Sequence, residues 1–228
     1  MKLFPLLFLP IVCACTQTTI GENYLGKPYI LDPLGEGVAP DADPTIRFDA
    51  FDCTTFVETV LADGDVNKLN KIRYRDGVVD FLHRNHFIES EWIPNNTSIV
   101  ENASAKYGKT AIRTVKINRA AWLWHMHNIK DNTPQKTVNL EYIPYDEFET
   151  IHVNKPVIVL FVFNSNKKII SKTGTDLSVR HMGFLLPNGM LRHASFSRGR
   201  VVDTDFNEYV AKRKKMPNNI GIVILEIK

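Results

Sequence analysis

The sequence predicts an α+β domain, and three observations carry that expectation. Apolar residues recur at helical spacing after Asp52, at Phe56, Val57, Val60 and Leu61. Further on, "PVIVLFVF" (156–163) is a continuous run rich in β-branched and aromatic residues, the pattern of a buried strand. "RHMGFLLPNGMLRHASF" (180–196) then reads as a hairpin, two apolar runs around a Pro-Asn-Gly turn. Helices first and antiparallel strands later indicate α+β rather than alternating α/β. With 228 residues and no internal repeat or low-complexity linker, one domain with a proper core is the economical expectation.

The chain opens on "MKLFPLLFLPIVCAC" (1–15), with one lysine, a short apolar stretch and then Val12-Cys13-Ala14-Cys15. The stretch is too short to span a bilayer, which takes about 20 apolar residues, and it fits a secretory signal. Small or aliphatic residues before Cys15 resemble a bacterial lipobox, in which that cysteine is acylated and becomes the new N-terminus. Thr16, in place of an aspartate, resembles sorting to an outer membrane. The expectation is therefore an exported, periplasmic protein tied to the membrane by a lipid on Cys15, with residues 16–228 folding as the domain.

Residues 16–26 form a short leader, and Gly26 to Pro44, rich in Gly, Pro and Asp, an irregular loop. Asp52 is a natural N-cap for the first helix, and Asp63-Gly64 is its stop. "GVVDFLHRNHF" (77–87) reads as a second helix, residues 90–109 as a long loop, and "RAAWLWHMHNI" (119–129) as a further helix. After the hairpin, "DFNEYVAKRKK" (205–215) reads as a short helix and "NIGIVILEIK" (219–228) as a closing strand.

Charge excludes one class of partner. Lys and Arg number 28 against 25 Asp and Glu, a net +3, too mild for nucleic acid, whose binding needs a concentrated basic face. The tight basic run Ala211 to Lys215 reads as a solvated helix end.

Cysteine arithmetic singles out one residue. With Cys13 removed and Cys15 lipidated, Cys53 stands alone in the folded part, so no intramolecular disulfide can form. A leftover thiol in an oxidising compartment is either inert through burial or kept for reactivity. Cys53 follows the Asp52 cap at the first position of its helix, where free amides and the helix dipole favour negative charge. That setting lowers a thiol pKa. A thiolate nucleophile needs a histidine to hold and return the proton, and a third polar group to orient the imidazole.

The hairpin offers two imidazoles, and register decides whether they meet. A two-residue Asn188-Gly189 loop would oppose His181 to Phe196 and leave His193 on the other face. A three-residue loop, Pro187 to Gly189, opposes Leu186 to Met190 and puts both histidines on one face. A working pair requires the odd loop or a bulge that restores parity; the odd loop is the expectation.

"FDCTTFVE" (51–58), followed far downstream by "RHMGFLL" (180–186) and "LRHAS" (191–195), resembles the bacterial N-acetylmuramoyl-L-alanine amidase-like family, a papain-like branch of the NlpC superfamily of cell-wall hydrolases. "YLGKPYILDPLGEG", "IRYRDG", "RNHF" and "EWIPNN" support it in family order across nearly the whole mature chain. The resemblance implies a papain-like (NlpC-type) fold with the catalytic helix packed on an antiparallel sheet. It implies Cys53 as nucleophile, His181 as general base and His193 as third polar member, acting without a metal or other cofactor. The substrate it implies is a peptidoglycan fragment, cut between the lactyl group of muramic acid and L-alanine. Tyr29, Asp52, Arg84, Asn85, Trp92 and Ser195 are the residues expected to contact substrate or oxyanion, Trp92 by stacking on a sugar. The family usually carries a longer helical segment before "GKPY"; here only a handful of residues separate Cys15 from Gly21.

Two competitors share these residues. Cleavage between D-glutamate and the diamino acid would use the same triad, and a non-catalytic wall-binding lipoprotein would keep only the fold. His83 with His86, and His125 with His127, have metal-like spacing, but no cysteine or carboxylate cluster completes a ligand set.

Overall fold

The computed structural model describes residues 20–228; the signal assigned to 1–15, with Cys13 and Cys15, lies outside them. An antiparallel sheet is the centre of the fold, ordered β2-β3-β8-β4-β5-β6-β7, with β1 pairing on β8. Its strands are β1 (Val100–Asn102), β2 (Ala111–Ile117), β3 (Lys136–Pro144), β4 (Val157–Phe163), β5 (Val179–Leu185), β6 (Met190–Ser195), β7 (Arg200–Asp205) and β8 (Asn219–Ile227). The main helices are α1 (Cys53–Ala62), α2 (Val66–Arg73), α3 (Arg119–His127), α4 (Lys167–Thr173) and α5 (Phe206–Lys214). The mixed α+β architecture is the one the sequence predicts. Among the described residues no helix is long and apolar enough to cross a membrane.

β4 lies between β8 and β5, and every residue in it is buried, as its unbroken apolar run requires. Its side chains alternate between two cores. Ile158, Leu160 and Val162 join Met182 and Phe184 on one face, while Val157, Val159 and Phe161 join Leu185 and Leu191 on the other. α1 covers the first face, with Phe56 meeting Phe184 edge-on at 5.9 Å. α5 covers the second through Phe206 and Val210.

α1 is fixed at both ends by its own residues. Asp52 Oδ1 accepts the Thr55 amide at 2.8 Å while Thr55 Oγ1 accepts the Asp52 amide at 3.0 Å, a reciprocal cap. Asp63 ends the helix in the left-handed region at φ 53°. Thr55 to Ala62 are all buried, so Glu58 lies inside, 3.1 Å from Arg73 of α2 and accepting the Trp92 indole N–H at 3.0 Å.

The segment 77–87 differs from its expected helix. Asp76 and Gly77 take positive φ, 57° and 70°, and turn the chain back, so that Tyr74 and Arg84 form an isolated antiparallel bridge. The apolar residues whose spacing suggests a helix, Val78, Val79 and Leu82, are exposed. The ordered helical turns fall on either side, in α2 and at Ile88–Trp92. Residues 90–109 are less irregular than expected, since they include β1 and a short helix at Ser104–Tyr107.

Candidate active site

Cys53 occupies the first turn of α1 and is half-buried. Thr54 Oγ1 lies 4.0 Å from its sulfur, and the main chain at Met182 of β5 opposes the rise of its pKa. The helix start does not give the acidic thiol that its position suggests. Burial pushes the Cys53 thiol up to about 12, and the neighbouring Asp52 carboxylate adds to the rise. Burial is the larger cause, and the cap adds to it because its carboxylate stands next to the sulfur in the chain. Cys53 is thus a neutral thiol at neutral pH.

The hairpin between β5 and β6 takes the odd loop. Phe184 pairs with Arg192 and Leu185 with Leu191, and the Leu186 amide donates to the Met190 carbonyl at 2.9 Å. Gly189 closes the loop at φ 78°. His181 and His193 share a face, with His181 Nε2 2.7 Å from His193 Nδ1. Gly183 permits that approach, because an added Cβ there would stand 2.8 Å from His193 Cβ and 2.8 Å from the Arg192 carbonyl. His193 Nε2 in turn faces Thr204 Oγ1 of β7 at 3.4 Å. The Tyr209 ring of α5 packs on both imidazoles, at 5.9 Å from His181 and 5.0 Å from His193.

Both imidazoles are held neutral. Burial, the His193 ring and the Arg213 guanidinium push His181 well below the ordinary histidine value, and burial followed by Arg213 pushes His193 down to about 4. A buried histidine that resists protonation ties stability to pH. The unfolded chain binds protons from about pH 6.5 downward while the folded chain does not, so stability is full above that value and is lost as pH falls toward about 4. For His193 the loss amounts to about 3 kcal/mol. Urea unfolding at pH 7 and pH 4.5 should therefore show a steep fall for the native chain and a shallower one for His193→Gln; equal falls would contradict this assignment.

Cys53, His181 and His193 line one cavity of about 380 Å³ together with Tyr29 and Ser195. Burial pushes the Tyr29 phenol up to about 12, with Cys53 and Asp52 adding to it, so the hydroxyl keeps its proton and can donate. Ser195 Oγ sits 3.3 Å from Ser197 Oγ. Asp52 lies outside that lining and faces a neighbouring cavity of about 200 Å³ with Asp32, Arg84, Asn85 and Trp122. A larger cavity of about 740 Å³ lies far along α1, at Thr59 and Asp63, away from the thiol.

Of the residues expected to touch substrate, Trp92 holds another part of the protein instead, while Arg84 and Asn85 line the cavity beside Asp52 but spend side-chain hydrogen bonds internally. Trp92 is fully buried with its indole N–H on Glu58, so neither ring face is open to a sugar. Arg84 donates to both Glu36 carboxylate oxygens, at 2.8 and 2.7 Å, and to Asp41 at 2.6 Å, tying down the loop before α1. The Asn85 side chain donates to the Ile72 carbonyl at 3.1 Å. All three are polar groups committed internally, which their neighbours in sequence do not reveal. One metal-like pair is committed too: His83 pairs with Asp80 at 3.1 Å, and His86 Nε2 contacts the Phe81 carbonyl oxygen at 2.7 Å.

The site also holds residues that the sequence reading passes over. Tyr209, Lys212 and Arg213 of α5, with Arg180 beside His181, form a wall of the same cavity. The basic run read as a solvated helix end thus presents two cations to the thiol's cavity. The signal was available in the helical spacing of Tyr209 and Arg213, four apart and so on one face.

A family model described as AmiA-like, N-acetylmuramoyl-L-alanine amidase-like, matches residues 19–220. No curated protein matches the sequence. Among solved structures, a Legionella pneumophila protein of family DUF1460 is 25% identical, with 91% of this chain and 86% of that chain covered at a TM-score of 0.81. An N-acetylmuramoyl-L-alanine amidase from Bacteroides uniformis is 24% identical, with 91% and 97% covered at a TM-score of 0.70. A Bacteroides fragilis protein with a provisional xylanase name is 26% identical, with 90% and 98% covered at a TM-score of 0.68. The chain, with its thiol and paired imidazoles facing one cavity, belongs to the N-acetylmuramoyl-L-alanine amidase-like family.

Proposed function

We propose that this protein is a cysteine amidase of papain-like fold that hydrolyses the amide between the lactyl group of N-acetylmuramic acid and L-alanine in peptidoglycan fragments. The observation that carries the reading is the 2.7 Å contact between His181 and His193 in the cavity that holds Cys53. Glycoside hydrolysis, by contrast, uses two carboxylates flanking the scissile bond, and the lining of this cavity includes no carboxylate.

Both rings being neutral, one tautomer set serves the chemistry. His181 Nε2–H donates to His193 Nδ1, and His193 Nε2–H points to Thr204 Oγ1. That leaves His181 Nδ1 bare and able to take the thiol proton. Because the thiol's pKa is raised and the imidazole's is lowered, the proton moves as sulfur attacks the lactyl carbonyl rather than before it. The Cys53 amide and the Tyr29 hydroxyl stabilise the developing oxyanion. His181 then protonates the departing alanine nitrogen and activates the water that hydrolyses the thioester. Asp52 and Ser195 shape the two sides of the substrate cleft. No step calls for a metal. The lipobox reading of Cys15 places the reaction at a membrane surface in the periplasm.

Mass spectrometry of a defined muropeptide digest tests the reading. The expected products are a peptide beginning with free L-alanine and a muramic acid with a free lactyl carboxylate. A released diamino-acid fragment would establish the endopeptidase instead, and an intact muropeptide would reduce the protein to a wall binder.

A further inference from the structure

The cavity around Cys53 is electrostatically one-sided. Arg180, Lys212 and Arg213 line it with no acidic neighbour in the lining. Among the described residues neither Arg180 nor Arg213 makes an ion pair, and Lys212 reaches Glu208 only at 3.9 Å, with both side chains exposed. Arg213 is half-buried and held in place by aromatic faces, 5.0 Å from the Tyr209 ring and 5.6 Å from the Phe161 ring, while donating to the Tyr209 hydroxyl. Arg180 stacks over Phe163 at 4.3 Å. A partly buried guanidinium such as that of Arg213 is ordinarily paired, and a carboxylate is the partner that matches its fork.

Direction follows from the chemistry. The imidazole that protonates the leaving amine must face the leaving peptide, so the peptide extends along the wall that carries His181. That wall is the cationic one. The neighbouring cavity beside Asp52 is of mixed charge, and its two arginines are already paired, Arg73 with Glu58 and Arg84 with Glu36 and Asp41, so it offers an anion no free cation. Given the amidase reading, we propose that Arg180, Lys212 and Arg213 form an anion subsite for the α-carboxylate of the D-glutamate that follows L-alanine. The enzyme therefore prefers stem peptides in which that carboxylate is free over those in which it is amidated.

Paired substrates test this: N-acetylmuramoyl-L-alanyl-D-glutamate and its D-isoglutamine counterpart differ only in that group. The native enzyme should favour the free acid in kcat/KM by about 10- to 100-fold, the worth of a charge-assisted contact. In the triple variant Arg180→Gln, Lys212→Gln, Arg213→Gln the ratio should fall to near one, whatever common change both substrates undergo. A ratio is the right readout because Arg213 also acts on the imidazoles, and that effect cancels between substrates. Arg180 is exposed and touches the core only through its stack on Phe163, so Arg180→Gln alone should lower the ratio severalfold in a folded protein. Cleavage of both substrates with equal efficiency, or a preference that survives the triple variant, would overturn the subsite and leave the amidase standing.

If neither substrate is cleaved, it is the amidase reading that fails, and calorimetry on Cys53→Ala decides the subsite by itself. About 10-fold tighter binding of L-alanyl-D-glutamate than of L-alanyl-D-isoglutamine, lost with the three cations, supports it; equal binding overturns it.

Discussion

Cys53→Ala should lower muropeptide turnover by on the order of 10⁴-fold or more, with the fold intact, because it removes the atom that forms the covalent bond. His181→Ala should cost about as much. The double variant should be little worse than either single one, since nucleophile and base act as a unit and removing one already disables both. In the proposed mechanism His193 positions His181, so His193→Asn, which keeps a polar partner for His181 Nε2, should retain more activity than His193→Ala. Steady-state assays on a defined muropeptide, with circular dichroism of each variant, would check the set. A folded Cys53→Ala protein with activity within tenfold of native would sink the thiol mechanism. The raised thiol pKa adds a further consequence: a thiol-directed probe should label Cys53 slowly at mildly acidic pH, since little thiolate exists before substrate binds.

Glu58→Ala should destabilise the protein by about 3–5 kcal/mol, among the largest effects open to a single side chain here. Glu58 and Arg73 are both buried, with side-chain exposures of 3% and 5%, and lie 3.1 Å apart. Removing the carboxylate would leave a guanidinium deep inside with no counter-charge, and the Trp92 indole N–H without its acceptor. Burial raises the Glu58 pKa and Arg73 opposes the rise, so the ion pair, not the carboxylate alone, is what the interior tolerates. Glu58→Gln keeps a hydrogen-bond acceptor for Trp92 and should cost less. Urea unfolding of both variants decides the matter, and a Glu58→Ala loss below about 1 kcal/mol would show that water relaxes into the site. Arg73 also donates to the Leu34 carbonyl, so the same pair joins α1 and α2 to the loop before the nucleophile. Loss of Glu58 should therefore loosen the Cys53 end of the cleft as well as the core.

How legible the site was depends on how local each determinant is. The α1 cap is written in Asp52 and Thr55, whose side chains bond amides within one turn, and it appears as read. The β5–β6 register follows from Pro187, Asn188 and Gly189, because loop length fixes parity and parity fixes which face each histidine takes. The buried strand β4 declares itself through seven consecutive apolar residues. By contrast, Val78, Val79 and Leu82 carry a helical spacing that Asp76 and Gly77 overrule by turning the chain. Spacing states only what a helix would do if formed.

By itself the sequence determined that the sulfur begins a helix and that two candidate imidazoles lie on one hairpin, which share a face only if its loop is odd. Those are short-range facts, governed by backbone geometry within a few residues. Only the tertiary structure decided how these groups are ionised and what surrounds them. It buried the thiol beside an anionic cap and the imidazoles beside Arg213. It buried Trp92, tied Arg84 and Asn85 to internal partners at the edge of the cavity beside Asp52, and carried the basic end of α5 to the cleft. Desolvation and long-range charge depend on distances between segments far apart in the chain, which no local pattern encodes.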